Sequence, residues 1–175
     1  MALYNKYRPT TLSDVCGQDH IKKVLANQIE KNDLVHAYLL CGPAGTGKTT
    51  VARIMASMIN CTNGPSINPS MDDEIVREIL EGRSQTDVIE VDAATHNDVD
   101  YMRDLRRTAS FAPMRMRKKV FIIDECHRLS SASWQALLKI IEEPPPHVMF
   151  IFCTTELQSV IETILTRCMV FDFRS

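Results

Sequence analysis

The sequence has no apolar run approaching the length a bilayer demands, which excludes a membrane-spanning helix within these 175 residues. Its first residues, Met1-Ala2-Leu3-Tyr4-Asn5-Lys6-Tyr7-Arg8-Pro9, lack the apolar core of a secretory signal. It has no excess of either charge. Twenty Lys and Arg against 22 Asp and Glu give a net charge of −2, which excludes general attraction to nucleic acid and leaves only a local patch as a route to it. Cysteine pairs are also missing. The six cysteines (16, 41, 61, 126, 153, 168) are scattered singly, and Cys41, Cys126 and Cys153 sit in or beside apolar segments. They read as small buried hydrophobes in a reducing, cytoplasmic compartment, not as a disulfide framework. His36, His96, His127 and His147 show no metal-ligand spacing. No repeat or low-complexity tract interrupts the 175 residues, so 1–175 reads as one globular domain.

What is present centres on Gly42-Pro43-Ala44-Gly45-Thr46-Gly47-Lys48-Thr49-Thr50. It fits G-x-x-x-x-G-K-S/T, the phosphate-binding loop. Ala37-Tyr38-Leu39-Leu40-Cys41 before it reads as a buried strand, and Val51, Ile54, Met55 and Met58 after it share a helix face. The glycines let successive N–H groups turn inward at phosphate oxygens, and the helix N-terminus adds partial positive charge. Lys48 is expected to reach the β- and γ-phosphates, and the Thr49 hydroxyl to hold Mg²⁺.

Around this unit strands and helices alternate. Further strands are expected at 88–92, 120–124, 148–153 and 169–173, and helices from Asp19, over 72–81, 98–111 and 131–142, and over 157–165. Residues 1–18 read as an irregular arm. The pattern predicts an α/β fold, a parallel sheet of five strands with right-handed crossovers and helices on both faces. Arg103, Arg106 and Arg107 read as a solvated helix face, and Arg115, Arg117, Lys118 and Lys119 as loop charges.

In a parallel sheet, ligands sit beyond the carboxyl ends of the strands. Asp124 and Glu125 end one strand at that edge, so Asp124 is the candidate Mg²⁺ ligand with Thr49. Glu125 is the candidate to orient and deprotonate an attacking water. Thr154 and Thr155 end another strand there. Either hydroxyl could align the water or touch the γ-phosphate, or simply cap the turn before Glu156. Arg167 suits an arginine finger, although spacing alone favours a surface ion pair.

These segments form an ordered set with Tyr7-Arg8-Pro9, Asp14-Val15-Cys16-Gly17-Gln18, His127-Arg128-Leu129-Ser130, Leu137-Leu138-Lys139, Glu142-Glu143-Pro144-Pro145 and Thr166-Arg167-Cys168. The set, which covers essentially the whole chain, resembles the AAA+ clamp-loader ATPases, and among them the gamma/tau type of bacterial DNA polymerase III. The resemblance implies a P-loop NTPase sheet that binds ATP with Mg²⁺, the adenine lying near Tyr7, Arg8, Pro9, Val15 and Gln18. It favours Thr155 over Thr154 as the γ-phosphate sensor. It implies that Arg167 acts in trans on a neighbouring subunit's ATP, within a hetero-oligomeric ring that loads a sliding clamp onto primed DNA during replication. It also implies that Ser130 and Lys139 face the phosphates of primer-template DNA, positioning the duplex without reading its sequence.

Two departures from the family shape the expectations. Its zinc module, C-x8-C-x2-C-x2-C, would fall within 60–84, where Cys61 is followed by Ser70, Asp73 and Val76. One cysteine and one carboxylate cannot close a tetrahedral site, so zinc is not expected. The family's helical lid and collar domain would follow Phe171-Asp172-Phe173-Arg174, where this sequence stops, so it reads as a fragment or a truncated relative. Alone it is expected to bind nucleotide weakly and hydrolyse it slowly. Two other readings compete. A loader subunit acting only as a scaffold is disfavoured by the presence of Lys48, Thr49, Asp124 and Glu125 together. A DExH helicase, suggested by Asp124-Glu125-Cys126-His127, needs a second motor domain and a Ser-Ala-Thr motif; Ser131-Ala132-Ser133 lies too close to the box to serve.

Overall fold

The computed structural model describes residues 8–83 and 86–175. After a short 3-10 turn at Leu12–Asp14, the elements run α1 (Asp19–Lys31), β1 (Ala37–Cys41), α2 (Lys48–Asn60), α3 (Glu74–Leu80), β2 (Val88–Asp92), α4 (Val99–Ala109), β3 (Lys119–Asp124), α5 (Ser131–Glu142), β4 (Val148–Thr154), α6 (Glu162–Leu165) and β5 (Met169–Asp172). The five strands form one sheet in the order β2-β3-β4-β1-β5, every pairing parallel. This is the α/β architecture expected from the sequence.

The central strands β1, β3 and β4 alternate their side chains between two cores because both faces of the sheet are covered there. In β1, Tyr38 and Leu40 join Leu25, Ile54, Met58 and Ile122 on one face. Leu39 joins Phe121, Phe150, Phe152, Trp134 and Leu137 on the other. Phe150 lies 5.2 Å from Phe121 and 5.6 Å from Phe152, ring centroid to centroid, and Trp134 lies 5.3 Å from Phe152. Such aromatic pairs add roughly 0.5–1.5 kcal/mol each beyond the area they bury.

Four local expectations need correction. The segment 157–165 is not one helix. It is a 3-10 turn at Leu157–Ser159 and the single turn α6, separated by Val160 and Ile161 in extended conformation. The β-branched pair resists the helix, and burial of Val160 and Ile164 in the second core decides the path. Residues 72–81 contract to α3 because Asp73 turns out as its N-cap, accepting from the Ile75 N–H. Arg106 is not simply solvated: its Nη1 donates to the Ala136 carbonyl of α5 at 3.2 Å. The charges at 115–119 are structural as well. Arg117 donates to the Ile59 and Cys61 carbonyls at the end of α2. Lys119, in β3 and 4% exposed, donates to the Thr108 carbonyl near the end of α4. Both cations complement the negative end of a helix.

All six cysteines are free, and Cys61 is buried along with the three expected ones. Burial pushes the Cys41, Cys61, Cys126 and Cys153 thiols up, and Cys168 up to about 12. Only Cys16 is exposed. A maleimide at neutral pH should therefore modify Cys16 alone in the folded chain and all six thiols after denaturation, as read by mass spectrometry. Rapid native-state labelling at any other cysteine would contradict the packing.

Candidate functional site

The register aligns the carboxyl ends of the strands. Cys41 of β1 pairs with Thr154 of β4 and Asp172 of β5, and Asp124 of β3 pairs with Asp92 of β2. The chain leaves β1 through the glycine loop directly into α2, with Gly47 in left-handed conformation as the helix N-cap. The Gly42 N–H donates to the Thr154 carbonyl at 3.2 Å, so the loop begins tied to β4. Gly42 has φ +147°, and a Cβ there would stand 2.5 Å from the Phe173 carbonyl oxygen. Gly42→Ala should therefore push β5 and the loop apart, lowering Tm and nucleotide affinity together. Unchanged values of both would show that the contact is soft.

One cavity of about 190 Å³ is lined by Arg8, Ala44, Gly45, Gly47, Lys48, Thr49, Thr50, Asp124, Glu125 and Thr155. Larger clefts lie elsewhere, one of 620 Å³ beside Asp73 and one of 820 Å³ between α1 and β5. Neither holds the phosphate-loop lysine and the acidic pair, so the smaller cavity is where the chemistry converges. Lys48 is 8% exposed; its Nζ donates to the Gly42 and Pro43 carbonyls at 2.7 and 2.8 Å and lies 3.5 Å from Thr46 Oγ1. Thr46 Oγ1 itself donates to the Pro43 carbonyl at 2.7 Å. The ammonium thus rests on its own loop beside the cavity. Thr49 Oγ1 donates to Asp124 Oδ2 at 3.1 Å, which brings the two candidate Mg²⁺ ligands together. A hydroxyl and a carboxylate are hard oxygen donors of the kind Mg²⁺ takes, so the pair fits that ion. Asp124 Oδ1 accepts from the Glu125 N–H at 2.9 Å.

The two threonines separate. Thr154 is 1% exposed, and its Oγ1 accepts from the Glu156 N–H, the turn-capping role. Thr155 is exposed and lines the cavity. From the arm, Arg8 donates from Nε to Thr50 Oγ1 at 3.0 Å, Val15 is buried, and Gln18 exchanges two hydrogen bonds with the Arg174 backbone. Pro9 is half-buried. Tyr7 lies outside the described residues. Arg167 stays out of the cavity; its Nη2 sits 3.5 Å from Glu142 Oε1, both side chains nearly half exposed. Ser130 caps α5, accepting from the Ser133 N–H. Lys139 is exposed in a groove it shares with Arg103, Arg106 and Arg107. Sequence reasoning gave His127 no part in the site. Its ring spans from Glu125 to Thr154, a contact that no metal-ligand spacing could reveal.

In the segment expected to hold the degenerate module, two of the positions that would carry ligands are otherwise engaged. Asp73 accepts from the Thr62 N–H and hydroxyl and from the Ile75 N–H, while Val76 is fully buried. Burial alone would raise the Asp73 carboxyl, but these hydrogen bonds outweigh it and hold the group below the usual carboxylate range.

Residues 17–175 match the family described as DNA polymerase III, delta subunit. The chain belongs to that family. It is 47% identical over 173 residues to the DNA polymerase III subunit tau of Bacillus subtilis, a match covering 99% of this chain and 31% of that protein. It is 45% identical to the gamma/tau subunit of Mycobacterium tuberculosis and 44% identical to the tau subunit of Escherichia coli, with 99% of this chain covered each time and 30% and 27% of theirs. The chain therefore spans less than a third of these relatives, and the expected gamma/tau resemblance is borne out. Among solved structures, the Thermotoga maritima RuvB Holliday junction branch migration motor superposes with a TM-score of 0.66 at 24% identity, covering 95% of this chain and 48% of that one. A gamma subunit-related protein of the same organism gives 0.58 at 19%, covering 90% and 45%. At such identities the likeness is one of fold, and it agrees with the parallel P-loop sheet. No helix among the described residues is long and apolar enough to cross a membrane.

Proposed function

We propose that this chain is the ATP-binding and ATP-hydrolysing motor domain of a gamma/tau-type clamp loader, acting in the cytoplasm during DNA replication. One observation carries the reading: Lys48, Thr49, Asp124, Glu125 and Thr155 line a single cavity in a chain about 45% identical to gamma/tau subunits. The loop amides and Lys48 bind the triphosphate, the ammonium exchanging its loop carbonyls for phosphate oxygens. Thr49 and Asp124 would hold Mg²⁺, which when bound offsets the negative charge of the phosphates. Glu125 takes the proton of the attacking water, and Thr155 contacts the γ-phosphate.

Arg167 is not among the residues that line this cavity and sits in an exposed ion pair with Glu142, which suits a finger offered to a neighbouring subunit. Ser130 and Lys139 would face the backbone of primer-template DNA, Lys139 as part of the basic groove between α4 and α5. Zinc has no place in this scheme, because Val76 is core and the Asp73 carboxylate is occupied within its own loop. Metal analysis of purified protein tests that point, and stoichiometric zinc refutes it.

The deciding experiment assembles the full-length protein with the other loader subunits and measures ATP hydrolysis with sliding clamp and primed DNA. Hydrolysis should rise on adding both and collapse with Lys48→Ala. Arg167→Ala should abolish turnover at the neighbouring site while leaving ATP binding to its own chain intact. Turnover indifferent to Lys48 would overturn the motor reading in favour of a scaffold subunit.

A further inference from the structure

We propose that His127 is a positioning residue: it holds the Glu125 carboxylate and ties its orientation to the end of β4, next to Thr155. The inference rests on the hydrolytic reading of this site. His127 lies in the 3-10 turn Cys126–Arg128 that follows β3, and its side chain is only 8% exposed. Its Nε2 is 3.3 Å from Glu125 Oε2, and its Nδ1 is 2.9 Å from Thr154 Oγ1. Among the described residues, the Glu125 carboxylate has no other recorded side-chain partner.

Proton accounting fixes the direction of the link. Thr154 is 1% exposed, and its Oγ1 already accepts from the Glu156 N–H, so its own hydroxyl proton must find an acceptor. The His127 Nδ1 is the acceptor in reach. That leaves Nε2, the nitrogen that faces the carboxylate, as the donor to Glu125. The opposite tautomer would leave the Thr154 hydroxyl proton buried without a partner and set a nitrogen lone pair against Glu125.

Two further features make the link consequential. Glu125 has φ 55° and ψ 39°, the left-handed region, which costs a non-glycine residue on the order of 1 kcal/mol and persists only where the surroundings enforce it. Its side chain is 38% exposed, so without His127 the carboxylate would sweep through solvent. At the other end, the Thr154 carbonyl accepts from the Gly42 N–H at the start of the phosphate loop. A single ring therefore connects the water-activating carboxylate to the strand end that carries both the loop anchor and the γ-phosphate contact. A shift of β4 on loss of the γ-phosphate would reach Glu125 through His127.

The test uses the full-length protein in its assembled complex. ATP turnover is measured together with affinity for a fluorescent ATP analogue and with Tm. His127→Ala should lower kcat about tenfold, less than the roughly 10²–10⁴-fold that loss of the base itself costs, with analogue affinity within roughly twofold of wild type. Thr154→Val should lower kcat in the same direction, and the double variant should match His127→Ala, because both changes break one link. His127→Gln keeps an N–H near Glu125 and should recover part of the loss; with Thr154→Val it also keeps the test decisive if the alanine variant folds poorly. Wild-type kcat in the histidine variants, or losses that multiply in the double variant, overturn the inference while Lys48-dependent turnover leaves the hydrolytic reading standing. Turnover that ignores Lys48 brings down that reading and this one with it.

Discussion

Glu125→Gln should lower ATP hydrolysis by roughly 10²–10⁴-fold, the range for loss of a positioned general base, and leave ATP binding intact. The two side chains have nearly the same shape, and the backbone N–H of residue 125 keeps its bond to Asp124 Oδ1. Thr49 and Asp124 keep their contact, so the proposed Mg²⁺ ligands are untouched. What disappears is the carboxylate proposed to take the proton of the water. Lys48→Ala gives a different profile. It removes the cation proposed to bind the triphosphate, and hydrogen bonds to charged groups contribute about 1.5–3 kcal/mol each, so ATP affinity should fall by at least tenfold and turnover with it. The loop carbonyls that Lys48 leaves behind are those of Gly42 and Pro43; water can satisfy them, so the fold survives. Equilibrium binding of a labelled ATP beside single-turnover hydrolysis separates the two variants. Wild-type turnover in Glu125→Gln would remove Glu125 from the chemistry.

The strands were readable because burial on both faces imposes continuous apolar runs, as in Val120-Phe121-Ile122-Ile123 and Val148-Met149-Phe150-Ile151-Phe152. The loop at 42–50 was readable because its signal is local: the glycines, Lys48 and Thr49 act within a few residues of one another. Features made by distant groups were not. Lys119 stands in a run of four basic residues among five and looks like a solvent charge, yet it reaches back to the Thr108 carbonyl from within β3. The ring of His127 gains its meaning from Thr154, 27 positions later, once β3 and β4 lie side by side. The break at Val160-Ile161 contains no proline or glycine; it follows from which side chains the second core accepts.

The largest purely structural effect should come from a residue outside every motif. Asp87 has no exposed surface and stands one position before β2. Its Oδ1 accepts from the Met114 N–H at 2.8 Å, and its Oδ2 accepts from the Arg115 and Met116 N–H groups at 2.7 and 2.9 Å. Those three amides belong to the turn that delivers the chain into β3, whose far end carries Asp124 and Glu125. The same turn is pinned by Arg115 to Glu78 and by Asn60 to the Lys118 backbone. Asp87→Ala strands three amide donors at once, which costs about 3–5 kcal/mol, in line with other broken buried networks. For a domain of this size that lowers Tm by on the order of 10 °C. Asp87→Asn should cost less. Its amide oxygen can still face Arg115 and Met116, and only Met114 then meets an NH₂ instead of an acceptor. Thermal unfolding of the two variants should therefore rank alanine below asparagine below wild type. Equal Tm values for all three would mean that water enters and satisfies the turn. If the ranking holds, both variants should retain wild-type ATP affinity well below their melting temperatures, because Asp87 acts on the path to the site and touches none of its groups.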